Sequence, residues 1–206
     1  PKNNLSMKEK EDDFFKNKIK ILAVPKEDFL RIIKENRTVD TKNIPDDEEI
    51  MKRAGCACQG KDKEMVLINT SVVPKEYVPY VETHEKFEAY MKHKEGHNLF
   101  DKGQRQYKEN KSIKKWDDAL IEEFYDDYKV YNYTFGHEYA TYKEFEHAKK
   151  DGKLDEYYNW LVKRREALLP QVSGSKKEML QNDFEIKKSI YKKLTSGSKH
   201  HFLRKD

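Results

Sequence analysis

The apolar positions change period along the chain, short extended runs giving way to helical spacing. Ile19, Ile21, Ala23 and Val24 fall in a run short enough for a strand. Pro25 follows, where a helix can begin, and Phe29, Ile32 and Ile33 recur at helical spacing through Glu35. Four acidic residues, Asp46 to Glu49, favour a short helix from Pro45 to Ala54, because negative charge stabilises the positive end of a helix. Gly55 stops it. The chain from Cys56 to Gly60 is expected to be extended or turning, and Met65-Val-Leu-Ile-Asn69 is the clearest strand.

After Pro74 and Pro79 every long segment reads as helix. The spans are Tyr80 to His93, Trp116 to Tyr128, Phe135 to Lys150, Leu154 to Leu168 and Lys176 to Leu194. Gly96, Gly103, Gly136, Gly152 and Ser173-Gly-Ser175 punctuate them, while Asn98–Ser112 is polar, without a period, and reads as a loop. Residues 1–17 are polar and aperiodic, either a mobile arm or a charged first helix. The predicted architecture is α+β, predominantly helical, with short N-terminal strands packed on a bundle of about five helices. One domain is expected over residues 1–170, followed by a helical, basic extension over residues 171–206.

Composition qualifies this picture. Charged residues make up 39% of the 206 and the hydrophobic set only 36%, a balance that leans toward disorder. Aromatics at 12%, with 13 Tyr and 10 Phe, oppose it, because each buried ring removes a large apolar area from water. A thin, aromatic-rich core under a charged surface follows. No apolar run approaches the roughly 20 residues that cross a bilayer, and no signal-peptide h-region follows the charged start. The expectation is a soluble cytoplasmic protein with no membrane contact, although a chain opening on Pro1 fits a trimmed or excised piece. Cys56 and Cys58 stand too close for an ordinary disulfide and are too few for a structural zinc site, so they read as reduced thiols on one strand face.

The pattern richest in chemistry is His84-Glu85-Lys-Phe-Glu88, an H-E-x-x-E just inside a helix that follows a strand. At 3.6 residues per turn His84 and Glu88 lie about 40° apart around the axis, so both can reach one metal ion. Glu85 lies about 100° away, beside that ion, where a general base for a bound water belongs. This is the logic of H-E-x-x-H metallopeptidases with Glu in place of the second His, and glutamate oxygen is an acceptable zinc ligand. A catalytic zinc normally takes three protein ligands and leaves a position open, so a second source is required. His137 and Glu144, seven residues apart, return within about 20° of one helix face, with Ala140 and Ala148 nearby to permit close approach. Either could complete the shell.

A strand, H-E-x-x-E on a helix, then H-x-x-A-x-x-x-E-x-x-x-A-x-x-x-G downstream resembles small zincin-like proteins of the minimal gluzincin kind. The resemblance covers Met65–Gly152 and rests on His84, Glu85, Glu88, His137, Ala140, Glu144, Ala148 and Gly152. It implies a metal held between two helices, with Glu85 polarising the bound water. The reading is a zinc-dependent, metallopeptidase-like hydrolase acting on a peptide or protein. Its metal ligands are His84, Glu88 and His137, with Glu144 a fourth ligand or an orienting carboxylate.

Two rivals use the same residues. A carboxylate-bridged dinuclear iron site in a helical bundle would also draw on His84, Glu88, His137 and Glu144, although its usual Glu-x-x-His order is absent. The other rival is a non-catalytic helical interaction protein. Net charge is only +4, yet Lys187 to Asp206 holds seven Lys or Arg, with His200 and His201, against one Asp. Such a tail suits weak contact with nucleic acid or an acidic partner. His93, on the far side of its helix, and His147, about 80° off the His137 face, are expected at the surface, while His97 lies where a loop could swing it inward. The series Phe124, Tyr125, Tyr128, Tyr131, Tyr133, Phe135, Tyr139 and Tyr142 reads as core packing.

Overall fold

The computed structural model describes residues 7–36, 46–59, 63–95 and 136–196. It is α+β and predominantly helical. The chain divides into two compact units, Pro1–Tyr90 and Met91–Asp206. The expected helix Trp116–Tyr128, the loop Asn98–Ser112, the aromatics from Phe124 to Phe135, His97, His200 and His201 lie outside the described residues, as does the side chain of His93.

The first unit is built on three strands in the order β1 (Ile19–Val24), β3 (Glu64–Asn69), β2 (Gly55–Gln59). β1 runs parallel to β3, from Ile19 opposite Glu64 to Val24 opposite Asn69, and β2 runs antiparallel to it. A strand central to such a sheet is covered on both faces and need not alternate in polarity. Val66, Leu67 and Ile68 accordingly have no exposed surface, which explains why this run was the clearest in the sequence. Between β1 and β2 the chain forms α2 (Lys26–Glu35) and α3 (Asp47–Met51). Pro25 is the N-cap of α2. Asp46 caps α3 by accepting the Glu49 backbone N–H at 2.7 Å, a bond made by a short acidic side chain just ahead of the first turn.

Phe29 and Ile33 of α2, Ile50 of α3 and Leu67 of β3 form one core, with Cys56 and Cys58 packed against it. At the end of β3 the buried Asn69 amide donates to Met51 O at 2.8 Å while its Oδ1 accepts the Ser71 N–H at 3.1 Å. That bracket fixes where the chain turns toward Pro74. A first helix, α1 (Met7–Asn17), takes the place of an arm: Phe14 and Phe15 end it against α4 (Val78–Glu95), with ring centroids 5.4 Å apart for Phe14–Tyr90 and 5.0 Å for Phe15–Phe87.

The second unit, in its described part, consists of α5 (Gly136–Lys150), α6 (Leu154–Leu168) and α7 (Gly174–Thr195). Gly152, at φ +70°, ends α5: its N–H reaches Lys149 O and that of Lys153 reaches Ala148 O, the paired bonds of a left-handed helix terminus. The helices meet through aromatic rings. Tyr158 of α6 stacks on Tyr191 of α7 with centroids 4.0 Å apart, and the buried Phe145 of α5 meets Tyr157 and Tyr158 edge-on. Tyr139 is also buried, in keeping with core packing. Arg165 lies 4.1 Å over the Phe184 ring, which gives its charge a favourable neighbour although its Nε has no hydrogen-bond partner. No helix among the described residues is long and apolar enough to cross a membrane.

Candidate metal centre

A single 3₁₀ turn, Lys75–Tyr77, leads from the β3 bracket into α4. Tyr80, Val81 and His84 are buried within about 100° of one another around the helix, and this burial carries His84 inward. Its Nε2 stands 3.6 Å from Glu88 Oε2, one turn further along. Two ligands bound tetrahedrally at about 2.1 Å are separated by about 3.4 Å, so the pair already has the spacing of two ligands on one ion. Imidazole nitrogen and carboxylate oxygen are both ordinary zinc donors, and His84 with Glu88 is a His/Glu group that could hold a metal.

Glu85 points elsewhere, as its angular offset requires. Its side chain lies against Gly55 at the start of β2, and a Cβ on that residue would stand 2.6 Å from Glu85 Oε1 and 2.8 Å from Cγ. Glycine here leaves the space that the carboxylate uses. Burial pushes the neighbouring Cys56 thiol up to about 12, and the charges of Glu85, Cys58 and Glu88 add to the rise while Arg53 opposes it. Cys56 therefore stays protonated at neutral pH, and with Cys58, also a free thiol, it serves as a small apolar side chain in the core.

In the second unit His137 stands in the first turn of α5, and its Nε2 is 2.5 Å from Asp183 Oδ1 of α7. An ionised carboxylate only accepts, so Nε2 carries the proton of that bond. Asp183 Oδ2 accepts from Lys187 Nζ, also at 2.5 Å. Burial opposes ionisation of Asp183, but Lys187 and His137 outweigh it and hold the carboxyl well below the usual carboxylate range. Burial pulls the Arg164 guanidinium of α6 down, with the charges of Tyr157 and Asp183 acting against that shift. Glu144, two turns beyond His137, is buried, and its Oε1 accepts a hydrogen bond from the Tyr157 hydroxyl. Thr141 is also buried and returns its hydroxyl to His137 O at 2.8 Å.

The structure thus brings His84 to Glu88, Glu85 to Gly55, His137 to Asp183 and Glu144 to Tyr157. His147, expected at the surface, is half-exposed and stands 3.5 Å from Asp151. Asp183 and Tyr157 are absent from the sequence reading, in which Gly55 figures only as the end of a helix. Asp183 and Lys187 do carry an i, i+4 pairing signal, but nothing local ties them to His137, 46 residues away. No family model, curated protein or solved structure matches this chain.

Proposed function

We propose that the protein is a zinc-dependent, metallopeptidase-like hydrolase. The observation that carries this reading is the 3.6 Å separation of the buried His84 Nε2 and the half-buried Glu88 Oε2 on one turn of α4, with Glu85 beside them against the edge strand β2. Support also comes from the donor set, one imidazole and one carboxylate, which suits zinc or iron better than a hard cation. His84 and Glu88 would hold the ion together with His137, and Glu144 would serve as a fourth ligand or an orienting carboxylate. When bound, zinc supplies a Lewis acid that makes water acidic near neutral pH. Glu85 takes the proton of the attacking water and returns it to the leaving group. An extended peptide lying along the outer edge of β2 would pass its carbonyls beside Glu85, which favours a peptide or protein substrate. In this reading the protein works in the cytoplasm, and its basic C-terminal residues add at most weak contact with nucleic acid.

Metal content of the purified chain tests the core of the proposal. Wild type should retain zinc on dialysis, and His84→Ala should lose most of it. Equal, near-zero zinc in both removes the site. Zinc retained by Glu85→Gln, together with loss of peptide hydrolysis, is the expected result for the base, and full turnover in that variant eliminates Glu85 from the chemistry. Iron in place of zinc would favour the dinuclear alternative, while salt-dependent RNA or DNA binding by a metal-free chain would favour an interaction protein.

A further inference from the structure

Asp183 belongs to no motif in the sequence, yet it hydrogen-bonds His137. The carboxylate is held on two sides. Lys187 donates to Oδ2 at 2.5 Å, one turn along α7, and His137 Nε2 stands 2.5 Å from Oδ1. Arg164 adds a further positive charge from α6. Being tied to its own helix through Lys187, the carboxylate presents Oδ1 in a fixed direction, and that direction sets the plane and tautomer of the His137 ring.

A histidine that binds a metal through one ring nitrogen almost always donates the N–H of the other to a carboxylate, a carbonyl or water, and this contact fixes the tautomer and raises the basicity of the ligand. With Nε2–H committed to Asp183, the metal-binding nitrogen of His137 is Nδ1. We infer that Asp183 is a positioning residue for His137 as a metal ligand, with Lys187 the clamp that holds Asp183 in place. The inference rests on the zinc reading of the preceding section and adds a residue to it. It also distinguishes Asp183, which hydrogen-bonds His137, from Glu144, which accepts from Tyr157.

The test is a zinc titration of the full-length metal-free chain against a competing chelator, for wild type and for Asp183→Ala, Asp183→Glu, Lys187→Met and His84→Ala. Asp183→Ala is expected to keep a stoichiometry of one ion while its affinity falls by roughly 10- to 100-fold. Asp183→Glu should recover part of the loss, and Lys187→Met, which disturbs the same cluster but leaves the acceptor, should lose less than Asp183→Ala. A folded Asp183→Ala that binds zinc as tightly as wild type overturns this inference alone. Wild type that takes up no more zinc than His84→Ala overturns the zinc reading and this inference with it. Should Asp183→Ala fail to fold, histidine ¹⁵N NMR of the metal-loaded wild type decides, with the His137 signals assigned by their loss in His137→Gln. A metal-bound Nδ1 and a protonated Nε2 are expected, and a metal-bound Nε2 overturns the proposal.

Discussion

The two units solve the same problem with different materials. In the first, Phe29, Ile33, Ile50 and Leu67 close an aliphatic and aromatic core around a strand whose last four residues are buried, and the buried Asn69 finishes the backbone at its end. In the second, Glu144 and Thr141 are buried along with Tyr157, Phe145 and Ile190, and aromatic rings join the helices. Burying a polar group costs free energy unless it is hydrogen-bonded, so the second unit depends on a few specific contacts where the first depends on volume. A 39% charged chain can therefore fold by two routes: one keeps its charges outside, and the other pairs some of them within.

Truncating the core of the first unit should have the largest effect. Phe29→Ala should destabilise by about 3–5 kcal/mol in denaturant unfolding, the usual cost of removing a buried phenyl ring. A loss under about 1 kcal/mol would mean that volume is not what holds this unit. Next come the specific contacts of the second unit. Tyr157→Phe deprives the buried Glu144 of a donor and should cost about 1–3 kcal/mol at neutral pH, in unfolding followed by the fluorescence of nearby Trp160.

Asp183→Asn should cost a comparable amount, and pH tells the two apart. The Asp183 carboxyl is depressed when folded, so its stabilisation is complete above the unfolded value of about 3.9 and is lost as pH falls below that toward the folded value. The gap between wild type and Asp183→Asn should narrow below about pH 4. A gap that stays constant would show that shape, not charge, is what Asn fails to supply.

Smaller effects belong to the surface of the first unit. Asp46→Ala, which removes the α3 cap, should cost about 1 kcal/mol. Lys34→Met, which breaks a half-exposed ion pair with Asp47, should cost about 0.5 kcal/mol or less. A larger loss from Lys34 than from Asp46 would invert the ranking of local and long-range contacts assumed for that unit.

What could be read from sequence tracks how local each signal is. β3 and α2 were legible because one is a continuous apolar run and the other has Pro25 ahead of Phe29 and Ile33 at helical spacing. α1 was legible only as one of two options, since its order depends on Phe14 and Phe15 meeting Phe87 and Tyr90 some 70 residues away. At the candidate metal centre, the pairing of His84 with Glu88 follows from helical spacing alone. The contacts of Glu85 with Gly55, Glu144 with Tyr157 and His137 with Asp183 join separate elements, and no spacing rule encodes them.

The contact between Gly55 and Glu85 makes the two positions genetically dependent on each other. Alanine at position 55 would collide with the Glu85 side chain, whose Cγ as well as its carboxylate stands inside contact distance of the added carbon. A shorter residue at position 85 would relieve the collision while surrendering the carboxylate. A paired mutational scan should then find alanine at 55 tolerated for folding chiefly when 85 is small. Selection for activity, if Glu85 is the base, would forbid that combination. The difference between the two scans would be a record of function written at a glycine that has no chemistry of its own.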